Sequence, residues 1–77
     1  MSVKIYSTPT CGYCNLVKNY LKERQVKFTD YNVAVDQQKA EEMIRKSHQM
    51  GVPVLDINGK IVVGFDREKI DRLLHQV

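Results

Sequence analysis

Cysteine is scarce in this chain, with two in 77 residues, and no apolar run approaches the roughly 18 residues of a membrane-spanning helix. The missing apolar run argues against a membrane protein built on helices. Two cysteines are too few for the disulfide lattice of a small exported domain, which would also carry a leader. Met1-Ser2-Val3-Lys4 passes straight into a strand-like run without an apolar h-region, so no signal peptide is expected and a reducing cytoplasm is the expected location. A structural zinc site would need a second pair of ligands, and the only histidines, His48 and His75, lie far apart in sequence; no metal is expected. Charge of one sign is not concentrated anywhere. The net charge is +3, and lysines and arginines are interleaved with acids along helix faces instead of forming a stripe with aromatics, which sets nucleic acid binding aside. Repeats, linkers and low-complexity segments are missing too. What is left reads as a soluble monomer, 43% hydrophobic with clear periodicities, forming one domain over residues 1–77. That is near the size at which a single core is just sufficient, so any active site must be shallow.

Both cysteines lie in Thr8-Pro9-Thr10-Cys11-Gly12-Tyr13-Cys14-Asn15, on the step from one pattern to another. Before it, Val3-Lys4-Ile5-Tyr6-Ser7 reads as a short strand; after it, Leu16, Val17, Tyr20 and Leu21 recur at helical spacing. A Cys-x-x-Cys at a strand-to-helix junction within a βαβ pattern is a signature of thiol redox chemistry. A thiol attacks only as its thiolate, and a free cysteine is mostly protonated at neutral pH. With Cys11 as the helix cap, the unpaired N–H groups of the first turn and the positive end of the helix dipole favour a negative sulfur there. Cys14, one turn along, is within disulfide reach but partly shielded inside the helix. The expected division of labour is that Cys11 attacks and Cys14 resolves.

The rest of the chain supplies the frame. A first helix is expected from about Gly12 to Arg24, with Val17, Tyr20 and Leu21 inward and Lys18, Lys22 and Glu23 in water. Val26-Lys27-Phe28-Thr29-Asp30-Tyr31 alternates as a second strand, and a strand-helix-strand unit of this length favours parallel pairing. Asp36 is a good N-cap for a helix through about Ser47, with Ala40, Met43, Ile44 and Ser47 inward and Glu41, Glu42, Arg45 and Lys46 facing water. His48, at its frayed end, is assigned no role. Gln49-Met50-Gly51-Val52-Pro53 then breaks the pattern. Asn58-Gly59 between Val54-Leu55-Asp56-Ile57 and Lys60-Ile61-Val62-Val63 is a strong hairpin signal, because a type I′ turn needs positive φ at both central residues. Asp66 can cap a last helix with Ile70, Leu73, Leu74 and Val77 inward and His75 at the surface. The order β-α-β-α-β-β-α gives an α/β fold, a four-stranded mixed sheet flanked by helices.

That order, with Cys11-Gly12-Tyr13-Cys14, Gly51-Val52-Pro53, Asn58-Gly59 and Val63-Gly64-Phe65-Asp66, resembles the glutaredoxins, small members of the thioredoxin fold, over the whole chain. The resemblance implies an enzyme, a dithiol thiol-disulfide oxidoreductase that reduces protein or glutathione mixed disulfides. It implies no tightly bound cofactor and glutathione as reductant or co-substrate. Cys11 would be the nucleophile, Cys14 the resolving thiol, and Tyr13 would line the thiol site. The Val52-Pro53 bond would be cis, with the Val52 backbone pairing with the bound thiol's chain as a strand edge does. Gly64, Phe65 and Asp66 would bracket the γ-glutamyl end of glutathione, Asp66 serving as cap, as contact, or as both. Thr8 stands where many glutaredoxins carry a lysine for a glutathione carboxylate, offering a hydroxyl and no charge. Gly51 and Val63 also depart from the family's Thr-Val-Pro and Gly-Gly. Gly64-Phe65-Asp66 followed by Ile70-Asp71-Arg72-Leu73 resembles the small redoxins that feed electrons to ribonucleotide reductase and are commonly recharged by thioredoxin reductase. Gly12 in place of the common proline adds a third reading, a glutathione-ligated iron-sulfur scaffold, which the uncharged Thr8 weighs against.

Overall fold

Val3, Ile5, Tyr6 and Ser7 are all buried although successive side chains point to opposite faces, so strand β1 (Val3–Ser7) is covered on both sides and sits inside its sheet. The computed structural model, which describes residues 2–75, sets β2 (Thr29–Asn32) parallel on one side of β1 and β3 (Val54–Ile57) antiparallel on the other. Strand β4 (Lys60–Val63) runs antiparallel to β3 and completes the order β2-β1-β3-β4. Helices α1 (Gly12–Glu23) and α3 (Arg67–Leu74) supply Val17, Tyr20, Leu21, Ile70, Leu73 and Leu74 to the main core on one face. Among them Val17, Leu21 and Ile70 are fully buried aliphatics, each contributing about 1.5–3 kcal/mol relative to exposure. Helix α2 (Gln37–Ser47) covers the other face, where Tyr6, Met43 and Val54 form a smaller core.

The helices start where the sequence places their caps. Asp36 accepts from the Lys39 N–H at 3.1 Å and Asp66 from the Lys69 N–H at 3.2 Å. His48 closes α2 in the left-handed region, φ 60°, and is exposed, as is His75 at the end of α3. Asn58 and Gly59 both have positive φ, 53° and 89°, as the hairpin turn requires. The turn is tied at both residues: Gly59 N–H donates to Asp56 Oδ1 at 2.7 Å, and Asn58 Oδ1 accepts from the Ser2 N–H at 2.7 Å.

Two expectations are corrected, the start of β2 and the inner face of α2. Strand β2 begins at Thr29, not Val26, because Val26 N–H still donates to the Leu21 carbonyl at the end of α1 and Gln25 takes φ 58°. Val26 and Phe28 pack half-buried against the main core before the ladder starts. Leu16, at helical spacing with the core residues of α1, is half exposed. Helix α2 has Met43 buried and Ala40 and Ser47 half-buried, as expected, but Ile44 reaches the surface and Glu42 and Lys46, expected in water, lie half-buried over the sheet. The cause is the polar pair the sheet presents there. Lys46 Nζ lies 2.6 Å from Asp56 Oδ2 and 3.1 Å from the Tyr6 hydroxyl, which donates to Glu42 Oε2. Asp56 is buried, and a buried carboxylate without partners would be costly. Val77, expected on the inner face of α3, lies outside the described residues. No helix among the described residues is long and apolar enough to cross a membrane.

Candidate active site

The strand directions bring three separate segments to one end of the sheet. Tyr6 pairs with Val54, and Val54 with Val63, so the residues after β1, before β3 and after β4 meet there. Gly64, at φ 77°, donates its N–H to the Pro53 carbonyl at 2.9 Å, which fastens the start of Gly64-Phe65-Asp66 to the Val52-Pro53 loop. The Val52-Pro53 bond is cis.

Cys11 is the N-cap of α1, with extended backbone (φ −87°, ψ 114°) and its sulfur accepting from the Cys14 N–H at 3.2 Å. A hydrogen bond from backbone to sulfur at a helix N-terminus strengthens when the sulfur is charged. The Cys11 N–H donates to the Thr8 carbonyl at 3.3 Å, and its own carbonyl accepts from Asn15 N–H, so turn and helix lock the residue in place. Its thiol faces the Val52 carbonyl at 4.0 Å. Cys11 is half-buried; Cys14 has no exposed surface, and both are reduced. Burial pushes the Cys14 thiol up to about 11, helped by its hydrogen bond with Cys11, while a backbone hydrogen bond from Thr8 and the Lys18 charge pull the other way. The pair is therefore asymmetric: one sulfur reaches the surface and the other is a shielded, protonated thiol.

The remaining candidate residues fall around this pair with different exposures. Tyr13 is 66% exposed beside Cys11, and Thr8 is half-buried below the turn. Val52 is half-buried against Tyr6 and Met43, with Pro53 buried behind it. The Phe65 ring packs edge-on against Tyr20 at 5.5 Å between centroids, so its side chain serves the core and only its backbone follows the rim. Asp66 is exposed and caps α3. The described residues hold no group of three or more His, Cys, Asp or Glu arranged to take a metal ion.

A group that sequence reasoning placed in water also belongs here. Lys18 Nζ lies 2.7 Å from Asp30 Oδ2, and Asp30 Oδ1 accepts from the buried Ser7 hydroxyl at 2.6 Å. Lys18 sits one turn beyond Cys14, a spacing that puts both on one stretch of helix surface. That spacing was the available signal.

The Glutaredoxin family model matches residues 3–62. The uncharacterized glutaredoxin-like 8.6 kDa protein in the rubredoxin operon of Clostridium pasteurianum is 50% identical over 74 residues, 96% of this chain and 99% of its own. Glutaredoxin 3 of Escherichia coli K12 is 34% identical over 65 residues, 84% of this chain and 78% of its own. Among solved structures, the glutaredoxin-like protein NrdH-redoxin from Escherichia coli, described by its thioredoxin-like activity profile, superposes with a TM-score of 0.87. It is 27% identical, and the match covers 100% of this chain and 99% of that one.

Proposed function

The chain belongs to the glutaredoxin family, and from that premise we propose that it is a cytoplasmic dithiol oxidoreductase reducing protein or glutathione mixed disulfides. One observation carries the reading. Cys11 stands half-exposed at the helix N-terminus while Cys14, one turn behind, is fully buried with its thiol pushed up to about 11. In the first step the Cys11 thiolate bonds to one sulfur of the substrate disulfide, and the other sulfur leaves as a thiolate that takes up a proton. In the second, Cys14 gives up its proton and attacks Cys11 Sγ. The second substrate thiol leaves, and the Cys11–Cys14 disulfide retains the bond the substrate lost. Two electrons have passed from the pair to the substrate. The Val52 carbonyl beside Cys11 offers a backbone edge to the incoming chain, Thr8 and Tyr13 flank it, and the Gly64-Phe65-Asp66 backbone closes the far side.

Glutathione is the reductant on the first reading. A second is favoured by Thr8, which brings no cation to a glutathione carboxylate, and by the likeness to NrdH-redoxin over the full length of both chains. On that reading thioredoxin reductase recharges the pair and ribonucleotide reductase receives the electrons. An NADPH-coupled assay separates them, with glutathione and its reductase in one cell and thioredoxin reductase in the other. Turnover in the first alone supports the glutathione reading, and turnover in the second alone supports the other. Turnover in neither, with a brown dimeric protein, overturns both in favour of an iron-sulfur scaffold.

A further inference from the structure

Attack by Cys14 is the difficult step of the proposed cycle, because a thiol with no exposed surface must lose its proton where no water can share the charge. Around it, α1 presents Cys11 and Lys18, the turn before α1 presents the Thr8 backbone, and β2 presents Asp30 through its pair with Lys18. Cys11 cannot serve as a counter-charge, since its sulfur is never positive and is neutral once bonded in the mixed disulfide. Lys18 can. Its side chain is only 18% exposed, it stands one helical turn from Cys14, and its ammonium is held at 2.7 Å by Asp30. Asp30 is in turn fixed by the Ser7 hydroxyl on the central strand. A lysine free in solvent would wander and be screened; this one is tied to Asp30 and starts from the helix position one turn after the buried sulfur.

We propose that Lys18, positioned by Asp30 and Ser7, is the charge against which Cys14 ionises, and that it sets the rate of resolution without acting on the first attack. The inference rests on the thiol-exchange reading above. In the balanced step, Cys14 gives up its proton to water, and the thiolate formed one helical turn from Lys18 bonds to Cys11 Sγ. The bond from Cys11 to the substrate sulfur breaks, and that sulfur leaves with the electron pair and is protonated. Lys18 takes no part in the proton transfer and stabilises the transient anion. Asp30 and Ser7 act only through Lys18.

An aryl disulfide that releases a coloured thiolate separates the two steps in one stopped-flow trace, because Cys11 liberates the first equivalent and Cys14 the second. Lys18→Met should slow the second phase about tenfold at neutral pH and move its pH profile up by about one unit, leaving the first phase unchanged. Asp30→Asn should shift the same phase in the same direction by less, and Lys18→Arg should restore it. An unchanged second phase in Lys18→Met, or equal slowing of both phases, overturns the inference. A wild-type protein with no first phase overturns instead the oxidoreductase reading on which it rests. If Lys18→Met is poorly folded, the comparison of Lys18→Arg with Lys18→Gln decides by the same two phases.

Discussion

Because burial pushes the Cys14 thiol up to about 11, the two cysteines should answer an alkylating reagent as different chemical species. At neutral pH, iodoacetamide followed by mass spectrometry should place one label per chain, on Cys11. Cys14 should label only as pH nears its own titration or after unfolding; comparable labelling of both at neutral pH would sink the assignment. The roles separate by mutation as well. Cys14→Ser should still collect a mixed disulfide with oxidised glutathione, and Cys11→Ser should collect none. The cysteines were legible in the sequence because their spacing and the change of period around them carry a mechanism. Lys18 was less so: its spacing from Cys14 is in the sequence, but a charged residue on a helix is ordinarily a solvated one, and its partner on β2, distant in sequence, reveals otherwise.

At the scale of elements, α2 shows where periodicity stops being informative. Its apolar residues alone point Ile44 inward, yet the sheet below offers a tyrosine hydroxyl and a carboxylate, and Glu42 and Lys46 reach in from the helix flank to meet them. Hydrophobic patterning sees one partner of each pair and not the other. Asp56→Ala should therefore cost about 1–3 kcal/mol, since it takes from Lys46 its shortest partner and releases the Gly59 N–H. Replacing both charges, with Lys46→Met and Asp56→Leu, should recover most of that loss in urea denaturation. A single mutant as stable as wild type would show that the network contributes nothing. Helix α1 permits an opposite change. A Cβ at Gly12 would meet nothing within 4 Å, and Gly12 is the first helical residue, where proline suits both φ and the missing donor. Gly12→Pro should raise stability by about 0.4–1 kcal/mol; a lower denaturation midpoint would contradict this.

For the molecule as a whole, the displaced titrations give stability a direction in pH. Cys14 is raised from 9.0 to about 11, and Tyr6 from 10.0 to about 12, by burial first and then by its bond to Glu42. Lys46 is raised by Asp56. Each group binds its proton more tightly folded than unfolded, so its contribution is complete below the unfolded value and is lost as pH rises through the folded one. Glu42, drawn down by the Tyr6 hydroxyl, and Asp71, drawn down by the Tyr20 hydroxyl, run the other way and lose their contribution as pH falls. Thermal melts should show a plateau through neutrality and a falling midpoint from about pH 9 upward; a midpoint still rising beyond that would contradict the assignments. The hairpin and helix caps were readable because each rested on a local device, a turn or a capping carboxylate, whereas the antiparallel pairing of β1 with β3 joins residues distant in sequence. The start of β2 was not readable either, because the exit from α1 is fixed by a backbone bond to Leu21. The hairpin turn carries one more consequence. Asn-Gly is a chemically fragile pair, since the glycine nitrogen can close on the asparagine side chain, expel ammonia and leave isoaspartate. Here the Gly59 nitrogen is occupied by Asp56 and the Asn58 side chain by Ser2, so the reaction waits for the turn to come undone. The slow accumulation of isoaspartate at Asn58 is then an ageing clock for stored protein, counting how often the end of the sheet remote from the cysteines has opened.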